Sequence, residues 1–283
     1  MSQRKVFTEQ DLTKALGDVG SRLGRRIKAY LIGGCAMTFM GRKVATKDID
    51  VVFGTTNDAK DFVAAMQLTG FKHVPNVRGP YSALRAFAIM EDNGEMRFDV
   101  YDRQVCRALE LSRGMKARAS TYKKFGNLDV YLIASEDIFL FKGITEREAD
   151  LDDMKTLAEA GLSWKTIEKE CMSQKRSDRW AYMLGTKLLN LRSKFSIESP
   201  IIKSLLDHAD VGLLAYMFGQ IIGKDERNFK DISVEIKDKY RYSESWTRKQ
   251  LHFLTRKEIA GKKKVGHHDV YYMKRRRGKQ GIL

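Results

Sequence analysis

The run Asp48-Ile-Asp-Val-Val-Phe53 places the strongest limit on the fold. Side chains alternate faces along a strand, so Asp48 and Asp50 share one face while Ile49, Val51 and Phe53 turn into a core. Two carboxylates about 7 Å apart along a strand repel each other. The pair makes sense with a divalent cation between its members, and oxygen-only ligands favour Mg²⁺ or Mn²⁺ over zinc. Met96-Arg-Phe-Asp-Val100 repeats the alternation, with Phe98 and Val100 on one face and Arg97 and Asp99 on the other. If that strand neighbours the first, Asp99 completes a three-carboxylate cluster able to hold two metals. One would activate an attacking hydroxyl and the other would bind a triphosphate and its leaving pyrophosphate. Upstream, Tyr30-Leu-Ile-Gly-Gly ends a strand at Gly33-Gly34, where backbone N–H groups can approach phosphate with no side chain in the way. Arg42 and Lys43 would add charge there.

The rest of the chain reads as mixed strands and helices followed by helices. A helix is expected over Thr8 to Leu23, with Thr8 and Asp11 as a capping box, a strand at Ala29–Ile32 and a short helix at Ala36–Met40. After the acidic strand come a helix at Asp58–Leu68 and strands at Ser82–Met90 and Glu95–Tyr101 around the turn Asp92-Asn-Gly94. A helix at Val105–Met115 and strands around Gly126-Asn127, at Tyr122 and Asp129–Ile133, complete this part. From Ser135 onward the pattern is helical: Phe139–Ile144, Ala149–Ala160, Trp164–Cys171, Trp180–Leu191 and Pro200–Leu206. Then come helices at Val211–Ile222, at Ile232–Tyr240 with apolar Ile232, Val234 and Ile236, and at Glu244–Ile259 capped by Ser243. Two short strands, Gly261–Val265 and Asp269–Met273, follow. The expected organisation is an α/β domain over 1–135, an all-helical extension over 136–208 and a module over 209–283. Three helices followed by a hairpin is the order of a winged helix.

Composition bounds the function. With 43% hydrophobic residues in 283, the chain can bury a sizeable core, and the length suggests two domains. No apolar run reaches the roughly 18 residues of a transmembrane helix, and the N-terminus lacks the apolar stretch of a secretory signal. Cys35, Cys106 and Cys171 lie far apart with no C-x-x-C pair, which points to a reducing cytoplasm and away from a disulfide scaffold or a Cys-rich zinc site. The net charge is +16, and residues 241–283 hold 13 Lys/Arg against 3 Asp/Glu. Such a concentration implies a polyanionic partner, nucleic acid before an anionic membrane surface.

A helix-turn-helix with a basic wing sets one helix in the major groove and the hairpin on the backbone. Glu244–Ile259 would present Arg248, Lys249, His252 and Arg256. The wing carries Lys262, Lys263, Lys264, His267 and His268, and Lys274, Arg275, Arg276 and Arg277 form a basic tail. Phosphate contacts of this kind bring affinity that falls steeply with salt, and the same fold binds RNA or protein, so the type of nucleic acid stays open. The adjacent histidines lack further ligands and do not read as a metal site. Trp164, Trp180 and Trp246 are expected in the core. Of Tyr271 and Tyr272, one is expected to pack inward and the other to touch sugar or base.

Gly33-Gly34, then Asp48-Ile-Asp50, then the isolated Asp99 together resemble the nucleotidyltransferase superfamily of the DNA polymerase beta type. That group includes minimal and antibiotic nucleotidyltransferases, CCA-adding enzymes and toxins of toxin–antitoxin pairs. The resemblance implies a mixed-sheet fold in which Asp48 and Asp50 bind the metals, Asp99 is the third ligand and the base, and the glycine pair contacts the nucleotide phosphates. Ile133-Ala-Ser-Glu-Asp-Ile-Phe-Leu-Phe-Lys142, then Arg147-Glu-Ala-Asp-Leu-Asp-Asp-Met154, resembles the helical segment of the toxin-like and related archaeal and bacterial members. It implies that Lys142 contacts the triphosphate and that Asp150 and Asp153 organise the site. Two departures stand out: Glu148-Ala149 precedes Asp150 where Lys is common, and Gly34 stands where many relatives carry Ser. The resemblance covers about residues 25–170. It implies a Mg²⁺-dependent (or Mn²⁺-dependent) transfer of a nucleoside monophosphate from an NTP to a hydroxyl and says little about the substrate; an RNA such as tRNA is the expected acceptor because the basic module can hold it. The alternative is a catalytically silent scaffold that binds DNA as a regulator or RNA on a ribosomal particle, dimerising through its helical part. A third expectation is nucleotidylation of a partner protein.

Overall fold

The computed structural model describes residues 5–74, 86–105, 108–145, 147–223 and 225–274. They fall into two compact units, one up to Ile202 and one from Lys203. The first is a mixed α/β unit. Helix α1 (Glu9–Ser21) starts at the expected capping box, with the Thr8 backbone N–H donating to Asp11 Oδ2 at 2.9 Å. Its stripe Leu12, Leu16 and Val19 is fully buried. Then come β1 (Ile27–Ile32), α2 (Gly33–Phe39), β2 (Asp48–Phe53), α3 (Thr56–Leu68), β3 (Lys72–His73), β4 (Ala88–Glu91) and β5 (Arg97–Asp102). The seven-stranded sheet has the order β3-β4-β5-β2-β1, continued by β9 (Leu128–Leu132) and β8 (Ser120–Phe125). Strand β2 is antiparallel to β1 and parallel to β5, while β1 is parallel to β9, so the sheet is mixed. The alternation read at β2 positions Ile49, Val51 and Phe53 in the core, where Phe53 meets Phe62 of α3 with ring centroids 4.9 Å apart.

The helix expected at Val105–Met115 is not formed. In its place β6 (Gln104–Val105) pairs with β7 (Leu109–Glu110), and α4 (Arg113–Arg118) begins after the cap Ser112. The chain reverses at Arg103, whose φ is 57°, and the Leu111 N–H donates to the Arg103 carbonyl at 2.8 Å. Leu109 and Leu111 are both buried with Glu110 between them, a period of two that tertiary burial enforced over local helix preference. Cys106 and the residues 82–85 of the expected Ser82–Met90 strand lie outside the described residues.

Helices α5 (Ser135–Gly143), α6 (Asp150–Glu159), α7 (Trp164–Ser173) and α8 (Ser177–Phe195) belong to the same unit as the sheet. Arg118 of α4 ties them to it. Its guanidinium donates to Asp137 of α5 at 2.6 and 3.2 Å and to Glu170 of α7 at 2.6 Å. Burial pushes the Asp137 carboxyl up to about 6 in spite of that partner. Burial also raises Glu170, but hydrogen bonds from Arg118, Ser112 and Gln174 outweigh it and hold Glu170 below the usual glutamate range.

In the second unit, the two helices expected at Pro200–Leu206 and Val211–Ile222 are one helix, α9 (Ile202–Ile222). The link Asp207-His-Ala-Asp contains neither Gly nor Pro, and Lys203 pairs with Asp207 one turn on at 2.5 Å. The boundary expected at 208 therefore falls inside a helix. Beyond α9 come β10 (Arg227–Asn228), α10 (Phe229–Tyr240), α11 (Glu244–Arg256), β11 (Ala260–Val265) and β12 (His268–Met273), with sheet order β10-β12-β11. Asn228 and Ser243 cap α10 and α11. The core joins Phe218, Ile232, Ile236, Leu251, Leu254 and Tyr271. Val234, expected beside Ile232 and Ile236, is 53% exposed, because a residue two positions along a helix faces away from its neighbours.

Candidate functional site

Strands β2 and β5 are neighbours, as a three-carboxylate cluster requires. They run parallel, with Asp50 in register with Asp99 and Asp48 in register with Arg97. Registered residues on neighbouring strands share a face, with backbones about 4.8 Å apart. Asp48, Asp50 and Asp99 are thus gathered on one face. The Asp50 carboxyl is pushed up to about 8 by burial first, then by the charges of Asp99 and Asp48; Lys142 and Arg147 draw it partly back.

One contact was not foreseen. Arg97, read only as the outward neighbour of Asp99, is 4% exposed and grips Asp99 with two bonds, Nε to Oδ1 at 2.5 Å and Nη2 to Oδ2 at 3.0 Å. The donor set on this face is all oxygen, and burial, with the charges of Asp99 and Asp48 added to it, raises Asp50. That chemistry fits Mg²⁺ or Mn²⁺, with Asp48 and Asp50 as the holding pair and Asp99 beside them. As the side chains stand, no group of three or more His, Cys, Asp or Glu among the described residues is arranged to hold a metal ion.

The glycine pair has a packing role that the sequence did not reveal. Gly33 has φ of 63°, and a Cβ there would lie 2.5 Å from Asp50 Oδ2. A Cβ on Gly34 would lie 2.9 Å from the Thr46 hydroxyl oxygen and 3.8 Å from Lys43 Nζ. Gly33 is therefore the residue that lets β1 hand over to α2 against the acidic strand. Gly33→Ala is expected to cost about 1–2 kcal/mol for the left-handed backbone, before the cost of displacing Asp50. The urea midpoint checks this, and an unchanged midpoint would refute it.

Lys142, expected on a triphosphate, is 7% exposed and held between Asp150 at 3.0 Å and Asp153 at 2.6 Å. Lys43 reaches Asp153 at 3.0 Å, and the Thr145 hydroxyl donates to Asp150 at 2.6 Å. Asp150 and Asp153 therefore neutralise Lys142 and join α6 to α5 and to the loop after α2. Two residues complete the arrangement: Arg147, the first residue of the motif Arg147–Met154, and Lys187, given no role by the sequence. Arg147, 60% exposed in its side chain, is near enough to Asp50 to lower its pKa. Lys187 of α8 donates to the carbonyls of Thr145 and Arg147 at 3.0 and 2.7 Å, fixing the backbone that carries Arg147. The signal was in the helical period: Lys187 stands seven residues after Trp180, three after Leu184 and four before Leu191, on the buried stripe of α8.

In the second unit, Arg248, Lys249, His252 and Arg256 line one side of α11 with Ser245, forming an open groove of about 450 Å³. Arg248 pairs with Glu244 at 3.0 Å and lies 3.9 Å over the Phe229 ring. In the hairpin, Lys262 pairs with Asp269 at 2.8 Å and Lys263 with Glu226 at 2.6 Å; Lys264 is exposed. Lys274 is exposed, and its backbone N–H continues the hairpin by donating to Ile259. Arg275, Arg276 and Arg277 lie outside the described residues. Tyr271 packs inward at 1% exposure, whereas the ring of Tyr272 lies against Gly261, where a Cβ would run into it. Trp180 is buried, while Trp164 and Trp246 are half-buried.

The chain matches no protein-family profile and no curated protein. Chemically, the first unit offers three carboxylates on one sheet face, bordered by an exposed arginine. The second offers a cationic helix face. No helix among the described residues is long and apolar enough to cross a membrane.

Proposed function

We propose that the protein is a nucleotidyltransferase of the DNA polymerase beta type, dependent on Mg²⁺ or Mn²⁺, that transfers a nucleoside monophosphate from an NTP to a hydroxyl. The proposed acceptor is an RNA of the tRNA kind, held by the second unit acting as a winged helix. One observation carries the reading: Asp50 and Asp99 stand in register on adjacent parallel strands, with Asp48 on the same face. Asp48 and Asp50 hold the ion. When bound, it polarises the triphosphate and lowers the pKa of an attacking hydroxyl. Asp99, oriented by Arg97, accepts the hydrogen bond of the acceptor hydroxyl. Arg147 meets phosphate oxygens, and Lys187 keeps its backbone in place. Lys142, already neutralised, sets the charge balance behind Asp50. The buried thiols of Cys35 and Cys171 suit a reducing cytoplasm.

The test is incubation with labelled NTPs, Mg²⁺ and total RNA, and label entering RNA is the expected result. A second reading, a silent scaffold that binds nucleic acid, draws on Arg97, a built-in cation on the third carboxylate. No incorporation with any NTP, together with tight nucleic-acid binding, selects it. Cation binding carries its own signature. Because the Asp50 carboxyl titrates near 8, at neutral pH it holds a proton that the ion must displace. Mn²⁺ affinity is expected to rise from about pH 6 upward and to level off above the Asp50 pKa. Calorimetry in buffers of different ionisation heat reads the released proton, and a pH-independent affinity contradicts the assignment.

A further inference from the structure

Beyond the cationic face of α11, an aromatic ladder stands at its amino end. Phe218 of α9 lies in the core at 0% exposure, and Trp246 stacks near-parallel to it, with centroids 6.3 Å apart and planes at 14°. On Trp246 lies Tyr242, with centroids 3.9 Å apart and planes at 12°. Tyr242 is nevertheless 42% exposed. One face of its ring is covered by Trp246, and no ring contact to the other face is seen among the described residues. The ring is held at the α10–α11 turn, after Arg241 in the left-handed conformation at φ 64° and before the cap Ser243. A flat aromatic held rigid in water costs free energy unless something covers it. Around it the charge is cationic: Arg241 and Lys249 are exposed, and the groove of Arg248, Lys249, His252 and Arg256 runs on from Ser245 along the same helix.

We propose that Tyr242 is a stacking platform for one unpaired base of a nucleic-acid strand whose phosphates run along the Lys249–Arg256 side of α11. The proposal rests on the reading of the second unit as a nucleic-acid-binding module and adds to it the form of the ligand: a single-stranded segment or frayed end rather than an intact duplex. A base has a π-face that completes the ladder Phe218–Trp246–Tyr242, and stacking tolerates sequence. In a closed duplex the base faces are already occupied by their neighbours. The lysines and arginines then supply affinity without naming a sequence, while the ring selects for unpaired bases.

The test uses the full chain and an adenine-only RNA of about 12 nucleotides, with the matching DNA strand and the blunt RNA duplex as separate arms. Quenching of tryptophan fluorescence reads the stacking over Trp246. Tyr242→Ala is expected to weaken single-strand binding about tenfold while leaving the salt slope as in the wild type, because the ring carries no charge. Lys249→Ala is expected to reduce that slope by about one. Tyr242→Phe is expected to retain affinity and Tyr242→Leu to lose it, although leucine still covers Trp246 and keeps the melting temperature. Tighter binding of the RNA strand than of the DNA strand identifies RNA as the ligand; the reverse identifies DNA. Equal affinity of the wild type, Tyr242→Ala and Tyr242→Leu for either strand overturns the platform, as does preference for the duplex. If the wild type binds none of the three probes, the nucleic-acid reading of the second unit fails as well.

Discussion

Replacing Asp48 or Asp50 with Asn is expected to lower nucleotidyl transfer by about 10²–10⁴-fold in kcat/KM, the several kcal/mol that a cation contributes to charge stabilisation. The fold is expected to survive both changes, since each replaces a half-buried carboxylate by an amide of the same shape. Asp50→Asn has a further consequence, for stability. The folded-state pKa of Asp50 is raised, so in the cation-free protein its ionisation opposes folding. That opposition is absent below the unfolded carboxyl pKa of about 3.9, grows as pH rises and is complete above the raised value. The cation-free Asp50→Asn variant should therefore melt about 2–4 °C above the wild type at alkaline pH for each kcal/mol relieved, with the gain vanishing in acid. Full activity in both Asn variants would end the enzymatic reading. A melting temperature unmoved at any pH would show that folding does not raise the Asp50 carboxyl.

Arg118→Ala is expected to destabilise the fold by about 3–5 kcal/mol, because it leaves two buried carboxylates without their cation. The side chains of Asp137 and Glu170 are 1% and 6% exposed, and Arg118 joins them at 2.6 Å each. In the variant both acids would have folded pKa values above their unfolded ones. Stability would then be retained below the unfolded values and lost as pH rises through the folded ones. Urea unfolding should show a large deficit near pH 8 that shrinks toward about pH 4. A deficit of equal size at both values, or none, would refute the account. Transfer activity measured well below the unfolding midpoint should persist, since this network lies among α4, α5 and α7 rather than at β2.

Much of the site was legible in local sequence. Strict alternation put Asp48 and Asp50 on one face, and the order strand, Gly-Gly, short helix, strand constrained where that face begins. Capping also read correctly, at Thr8 and Ser243, because a cap is a hydrogen bond to a backbone only three residues away. The failures share a cause. At Leu109 and Leu111 the helix preference yielded to burial in a site that the local pattern could not display, and at 206–211 the apparent gap between two helices contained no residue able to stop one.

The amino-acid sequence alone determined which side chains share a face of β2 and of β5, since that follows from the period of a strand. It also determined the cationic character of the last 43 residues, since that follows from counting. Only the tertiary structure decided that Asp99 lies beside Asp50, that Arg97 holds it, that Lys142 is shared between Asp150 and Asp153, and that Lys187 supports the backbone of Arg147. Those pairings join residues from different elements or choose among several charged neighbours, and their energies depend on burial, which local sequence does not carry.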